Sequence, residues 1–487
     1  MSKLKSVIQQ LQDTECQEIQ NRFKQTGAWK YMTLFNMLRE GQLNDEKMRE
    51  QLEMNNSAFY TIKSRLLDKI QEYLSAQFIN PSVDSSSKIE DIPELLYNTQ
   101  RNKAVAILSQ LEVDMQQQDN PYKLASIYNA LKKLHISSPK FYHYTQMYNR
   151  HLAYTIALDK AEDLLIDFFR KLADYELSKT NINLQLLSLI KQELHNVAKL
   201  YESHHLSIYK NIVDICSAIY LPQDGDHKVE QPIELMLNQM ETIFNQNRTD
   251  KDYQYLKLVH RYLAFEYYHI IGLHNREEEY YNPINENLAS FLNYNHCCFP
   301  SKFLISKAER MARINKEHLM LDEMNELLSE YIPDIQDVPN YMLYCLYKSI
   351  CNFNLGKYSE AAGVLVRMSN EVSYKNYYHA EVEIRLFQAL CYLLASEKEL
   401  AMTHLRGVSR KLKELEDDIG YDNARTFYRL LYMVANPSSK NLAEKIKQHA
   451  DRFKFLNHGE KKMLTYLKLD DKLINKLSEL EFEEDKV

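Results

Sequence analysis

Apolar residues recur at every third or fourth position along most of this chain. Two stretches show the spacing clearly: Ala104, Ile107, Leu108, Leu111 and Met115, and then Leu187, Ile190, Leu194 and Val197. A helix with 3.6 residues per turn places such positions on one face, so the pattern predicts amphipathic helices. No segment shows the sustained alternation that is typical of a strand. The sequence therefore predicts an all-α fold.

Two interruptions divide the helical pattern. The segment INPSVDSSSKIEDIP combines proline, a serine triplet and charges, which is typical of a linker, and LPQDGDHKVEQP is a second break at 221–232. We predict five parts: an N-terminal helical unit at 1–78, a linker at 79–93, a helical array at 94–220, helical repeats at 233–475 and an acidic tail at 476–487.

Part of the C-terminal half repeats at an interval of 40 residues. The stretch LGKYSEAAGVL at 355–365 is echoed by ASEKELAMTHL at 395–405. Small or turn-forming residues hold matching positions: Gly356 and Ser396, Ala361 and Ala401, Ser349 and Ala389, with Asn436 at a further turn. Gly, Ser or Asn suits a chain that leaves a helix, and small residues let two helices approach closely. The repeat predicts stacked helical hairpins.

These hairpins resemble the tetratricopeptide-repeat family. The resemblance is carried by Ser349, by Leu355-Gly356-Lys357-Tyr358 at the turn, and by Ala361. It covers residues 341–370, then 381–412, then 421–449. The interval of 40 exceeds the family's period of about 34, and Asn352 replaces a large aromatic residue. The resemblance implies an α–α superhelix, a solenoid of antiparallel hairpins that bury their apolar faces against one another.

The same resemblance implies a partner-binding groove lined by the first helix of each hairpin. Transferring the family's register places eight mostly apolar residues there: Leu343, Leu346, Ile350, Phe353, Asn354, Leu386, Leu390 and Leu393. Such a groove suits a partner protein or peptide that docks as an amphipathic helix. The alternative is that another helix of the same chain already fills the groove.

The N-terminal unit contains a stretch that resembles a helix-turn-helix. Residues 43–70 predict a helix at 45–52, a turn at 54–56 and a longer helix from Ser57. The resemblance makes five residues candidates to face DNA: Tyr60, Thr61, Lys63, Ser64 and Arg65. Arg49 and Glu53 depart from the motif, which usually has a small residue and glycine there. The alternative is a helical cap that packs on the repeats.

Composition narrows the class of protein. Only 9 glycines and 11 prolines occur in 487 residues, which favours helices joined by short turns over a β-rich or α/β fold. The net charge of −7 argues against a surface that binds nucleic acid along its whole length. The N-terminus lacks the apolar region of a signal peptide, and no apolar run approaches the length of a membrane span. With seven scattered cysteines, we expect a cytoplasmic protein with reduced thiols and no membrane contact.

Motifs for catalysis or cofactor binding are not found in the sequence. The Gly356-Lys357 pair is not a phosphate-binding loop, because Cys351 replaces the first glycine and Tyr358 the serine or threonine. The vicinal Cys297 and Cys298 lack the spacing of a zinc site. No nucleophile elbow or metalloprotease motif occurs. We expect no cofactor, no metal and no catalytic residues.

Three functions remain, in order of preference. The first is a non-catalytic scaffold or adaptor that binds a partner protein or peptide through its helical repeats. The second resembles bacterial peptide-sensing regulators, in which a DNA-binding helix-turn-helix precedes tetratricopeptide repeats. The third is an enzyme with a dispersed site, which would show a deep polar cleft holding strongly perturbed titratable groups.

Overall fold

The computed structural model describes residues 4, 7, 8, 11, 13–41, 45–78, 92–117, 119–223, 231–247, 252–293, 298–331, 333–415, 420–437 and 441–480. Every regular element in this part of the chain is a helix, so the predicted all-α class is confirmed. The chain divides into two compact units, Met1–Asp159 and Lys160–Val487, called unit 1 and unit 2 below. None of the described helices is both long and apolar enough to cross a membrane.

Unit 1 begins with four helices around one apolar core. They are α1 (Asp13–Gln25), α2 (Trp29–Glu40), α3 (Asp45–Gln51) and α4 (Asn56–Phe78). Phe35 and Leu66 are fully buried in this core, with Leu52 and Phe59 almost so. Positions 59, 62, 63, 66 and 70 face inward on α4, which is the three- and four-residue spacing of an amphipathic helix.

Unit 1 continues with α5 (Ile92–Tyr97), α6 (Arg101–Gln117) and α7 (Pro121–Leu134), which share a second core. Ala104, Leu108 and Met115 are fully buried, so the predicted apolar stripe of α6 faces that core. Asn120 caps α7 by accepting a hydrogen bond from the Lys123 backbone N–H at 3.0 Å. The next helix, α8 (Lys140–Ser178), contains the division between the two units.

The division within α8 differs in position from the predicted linkers. Residues 79–91 and 224–230 lie outside the described part of the chain, so the linker at 79–93 and the second break at 221–232 stay predictions. The acidic tail also lies outside it from residue 481 onward, whereas a helix continues to Ser478.

Unit 2 contains the remaining helices. They are α9 (Asn181–Ala198), α10 (His204–Tyr220), α11 (Ile233–Gln246), α12 (Asp252–Ile270), α13 (His274–Asn285), α14 (Leu288–Asn293), α15 (Pro300–Arg313), α16 (Met320–Glu330), α17 (Val338–Asn354), α18 (Tyr358–Glu371), α19 (Tyr378–Leu394), α20 (Lys398–Glu414), α21 (Asp422–Ala435), α22 (Leu442–Leu456) and α23 (Asp471–Ser478).

Neighbouring helices of unit 2 pack as hairpins. The pairs α12–α13, α17–α18, α19–α20 and α21–α22 each pack across a short connection. Gly356 and Ser396, predicted as equivalent turn residues, both adopt left-handed backbone with φ of 77° and 62°. In the first of these hairpins, the buried Ser349 Oγ donates to the Ala361 carbonyl at 2.8 Å, which ties the two helices at their closest approach.

The first helices of the hairpins also pack on one another. Contacts run from α10 to α12, from α12 to α15, from α15 to α17, and from α19 to α21. Phe353 of α17 contacts Phe387 of α19, with ring centroids 5.3 Å apart. These six helices form a layer, called the inner layer below. Packing of this kind is compatible with a helical-repeat solenoid.

Candidate functional site

An irregular segment connects α22 to α23 and returns to the inner layer. This segment, residues 457–470, is called the strap below. Its Tyr466 is 2% exposed and packs against Phe387 of α19, with ring centroids 5.3 Å apart. The Leu464 backbone N–H donates to Glu383 Oε1 at 2.6 Å, and Thr465 donates to Glu309 of α15. The strap is therefore attached to two inner helices.

Asparagine side chains hold the strap in its irregular conformation. Asn457 accepts a hydrogen bond from the Met463 N–H at 3.0 Å and donates to the Met463 carbonyl at 2.7 Å. Asn423 of α21 donates to both Asn457 Oδ1 and the Lys461 carbonyl, each at 2.8 Å. These bonds satisfy backbone groups that no helix or sheet pairs, so the segment can be ordered without regular structure.

A cavity of about 330 Å³ lies between the inner layer and the strap. Its volume is at the lower end of the range typical of small-molecule sites. Ile305, Leu343 and Leu346 give it an apolar wall. The rest of the lining includes many charged side chains: Glu176, Lys179, Glu266, His269, Lys302, Glu309, His379, Glu383, Glu460 and Lys462.

One group of these charges consists of two lysines that share a carboxylate. Lys179 Nζ lies 2.6 Å from Glu176 Oε1, and Lys302 Nζ lies 2.9 Å from Glu176 Oε2. Burial opposes ionisation of Glu176, but the two ammonium groups outweigh it and lower the pKa of the carboxyl below its usual value. For Lys302, burial is likewise outweighed by Glu176, which raises its pKa. The cluster is a buried ion triad with both carboxylate oxygens engaged.

A second group is centred on His269. Its Nδ1 lies 3.2 Å from Glu277 of α13, and its Nε2 lies 3.0 Å from Glu309 of α15. Burial favours the neutral ring, but hydrogen bonds to Glu277 and Glu309 raise the His269 pKa to about 9. Arg313 also pairs with Glu277 at 2.6 Å. The histidine is therefore a cation near neutral pH and joins three helices.

Glu266 and Glu383 differ from Glu176 and Glu309, which are paired with Lys302 and His269. Within the described residues, neither Glu266 nor Glu383 forms an ion pair within 4.0 Å. Burial raises the pKa of both carboxyl groups. Glu266 is 1% exposed, and its Oε2 accepts a hydrogen bond from Ser306 Oγ at 3.0 Å.

Three buried polar atoms at this cavity lack a hydrogen-bond partner among the described residues: Glu266 Oε1, His379 Nδ1 and the Tyr466 hydroxyl oxygen. His379 is 4% exposed, and burial, with a contribution from Lys179, lowers its pKa to about 3. The ring is therefore neutral. Buried polar groups are nearly always paired in proteins, so unpaired ones facing a cavity indicate that something else completes them.

The residues predicted to line a partner-binding groove are mostly inside the fold. Leu343, Leu346, Ile350, Leu386, Leu390 and Leu393 are each at most 7% exposed, and Phe353 and Asn354 are half-buried. Only Leu343 and Leu346 of the eight line the cavity. Two inner helices pack on each other at Phe353 and Phe387, and the strap lines the same cavity as Leu343 and Leu346. The binding role of the eight residues stays a prediction.

The stretch predicted as a helix-turn-helix forms two helices joined by a short turn. Helix α3 ends at Gln51, α4 begins at Asn56, and Glu53 between them has the left-handed φ of 52° that the motif usually gives to glycine. The side chains of Tyr60, Thr61, Ser64 and Arg65 are exposed on α4. Lys63 is instead buried on the packed face, and its Nζ bonds Asp45 at 2.9 Å. That ion pair makes Lys63 a structural residue in this unit.

Three other features considered in the sequence are metal binding, the cysteines and the Gly356 turn. In the part of the chain that the structure describes, no group of three or more His, Cys, Asp or Glu side chains could hold a metal ion. The six described cysteines are buried, and Cys297 lies outside the described residues. The Gly356 turn forms the elbow of the α17–α18 hairpin.

The sequence gives no clear indication of the polar cavity. Its charged residues come from α8, α12, α15, α19 and the strap, far apart in the chain, and each looks like part of an ordinary charged helix face. A faint signal was present at Glu266 and His379, which interrupt otherwise apolar helical faces.

Comparison of the chain with protein-family models, with curated proteins and with solved structures finds no match.

Proposed function

We propose that the chain is a non-catalytic binding protein, a scaffold or adaptor with tetratricopeptide-like architecture. Unit 2 receives its ligand in the cavity between the inner layer and the strap. In this proposal the partner is a small molecule or the end of a protein or peptide chain, because the cavity is too small for a whole helix. A cytoplasmic location remains part of the proposal.

The observation that carries the proposal is the set of buried polar groups around a cavity of ligand size. Burying charges costs stability, and replacing buried ion pairs by apolar residues is often neutral or stabilising. A solenoid needs only apolar contacts to stack its hairpins, as it has around Ala361 and Ala401, which are fully buried. Polar groups that are retained at such a cost, with some of their atoms unpaired, favour a binding role.

A ligand screen with cavity-filled controls tests the proposal. We expect some compounds of a metabolite and short-peptide library to raise the thermal unfolding midpoint of the full-length chain, because a ligand that binds only the folded state stabilises it. Leu346→Trp and Leu343→Phe fill the apolar wall and should abolish these shifts while the helical circular dichroism is retained. Shifts that persist in both folded variants, or a screen without any shift, would contradict a binding role for the cavity.

A second candidate function is a DNA-binding regulator that senses a ligand in unit 2. The specific observation in its favour is the α3–α4 geometry, with Tyr60, Thr61, Ser64 and Arg65 exposed on one helix. Fluorescence anisotropy with a random DNA duplex at several salt concentrations tests it. Arg65→Ala should weaken binding, and Lys357→Ala, on an exposed turn of unit 2, should not. No binding at low salt would exclude this function for the isolated full-length chain.

An enzyme is the third candidate, and the cavity is the feature that favours it. The pKa of Glu266 is raised by burial, whereas hydrogen bonding to His269 outweighs burial at Glu309 and lowers its pKa to about 2. Acid–base sites commonly contain two carboxyl groups whose pKa values differ in this way. Chemical conversion of any compound that binds, followed by mass spectrometry, would favour this candidate over a binding protein.

A further inference from the structure

The unpaired groups of the cavity have a common chemical character. Glu266 Oε1 and the neutral ring of His379 at Nδ1 can each accept a hydrogen bond, and so can the Tyr466 hydroxyl oxygen. All three residues line the same cavity. A complementary ligand must therefore present several N–H or O–H donors to this wall.

The charges of the wall determine which kind of donor fits. Lys302 and Lys179 are already paired with Glu176, and His269 is paired with Glu277 and Glu309. Glu266, Glu383 and Glu460 line the cavity without an ion pair among the described residues, and Glu460 accepts a hydrogen bond from the Tyr175 hydroxyl at 3.2 Å. A positively charged donor would give them the partner that the protein does not supply, and hydrogen bonds between charged groups are the stronger ones.

The size and the apolar wall of the cavity limit the rest of the ligand. A volume of about 330 Å³ excludes large cofactors, and Ile305, Leu343 and Leu346 suit a short apolar body. A primary ammonium on such a body has three N–H donors, so it can bond several acceptors of this wall at once. Building on the proposed binding function, we infer that the cavity binds a small primary amine with an apolar body, with its ammonium held by Glu266 and Glu383.

Two sources could supply this chemistry, a free amine or the amino-terminus of a peptide that begins with an apolar residue. Isothermal titration calorimetry with the full-length chain compares five probes: isoamylamine, isoamyl alcohol, 4-methylpentanoate, and the tripeptide Leu-Ala-Ala with a free and with an acetylated amino-terminus. We expect isoamylamine to bind and the alcohol and carboxylate to bind at least about tenfold more weakly. Binding of the free tripeptide but not of its acetylated form would assign the peptide source.

Glu266→Gln keeps the shape of the side chain and removes its charge. It should weaken amine binding roughly 10- to 100-fold, the usual effect of losing a charged hydrogen-bond partner. Glu383→Gln should act in the same direction. Glu360→Gln, on the exposed surface of α18, is the matched control and should bind like wild type.

The results that would overturn the amine assignment differ from those that would overturn the proposed function. Tighter binding of the alcohol or the carboxylate, no binding of any amine probe at millimolar concentration, or unchanged amine affinity in a folded Glu266→Gln variant would each reject the assignment. Library compounds whose shifts are lost in Leu346→Trp would still support a binding cavity in that case. If the amine probes fail in this way and no library compound gives a shift that Leu346→Trp removes, both the amine assignment and the proposed binding function are rejected.

Discussion

The ionisation of His269 gives the most quantitative prediction. We consider His269→Gln, which keeps a hydrogen-bonding side chain but cannot carry the charge that joins Glu277 and Glu309. The pKa of His269 rises from 6.5 to about 9 on folding, and this corresponds to about 3 kcal/mol of stabilisation. Because the folded-state pKa is the higher one, this contribution is complete below pH 6.5 and is lost as the pH rises through 9.

The assay is urea unfolding of wild type and variant, followed by helical circular dichroism, between about pH 6 and pH 9.5. The wild type should be more stable at the acidic end, and its advantage should shrink by about 1.4 kcal/mol per pH unit between 6.5 and 9. His318→Gln, at an exposed position in the turn before α16, is the control and should show no such trend. A constant difference between wild type and His269→Gln over this range would refute the reasoning that His269 is a buried cation.

Three further predictions concern unfolding free energies measured in urea. Glu176→Gln leaves two buried lysines without their carboxylate and should cost about 3–5 kcal/mol; a loss below 1 kcal/mol would indicate a solvated cluster. Gly356→Ala forces a side chain into left-handed backbone, with φ of 77°, and should cost about 1 kcal/mol, whereas an unchanged stability would mean that the turn relaxes. Tyr466→Ala removes the ring that packs on Phe387 and should cost about 3–5 kcal/mol. A negligible effect would mean that the strap contributes little to the stability of the fold.

The proposed location of a partner differs from the one that the family resemblance implied. The apolar residues that were expected on an open groove, such as Leu386 and Leu390, are fully buried. The family resemblance contains no information about a segment outside the repeats. Here that segment is the strap, which lies over the same inner helices and leaves a polar cavity.

The local features of the fold were predictable because local physics decides them. The spacing of apolar residues set the inward face of helices such as α6, where Ala104 and Leu108 are fully buried. The turn residues Gly356 and Ser396 stood where the backbone must leave a helix, and both adopt the left-handed conformation. Short-range sterics and one-sided burial act within a few residues, so a single sequence contains them.

The cavity, the strap and the ionisation of their side chains depend instead on long-range packing. Glu176, Lys302 and His379 are separated by tens of residues or more, and only the stacking of inner helices brings them to one cavity. Whether Glu266 or His269 is charged then follows from burial and from neighbours on other helices. The sequence by itself determined that this chain would form stacked helical hairpins, and the tertiary structure alone decided which of its many charged residues would be buried together.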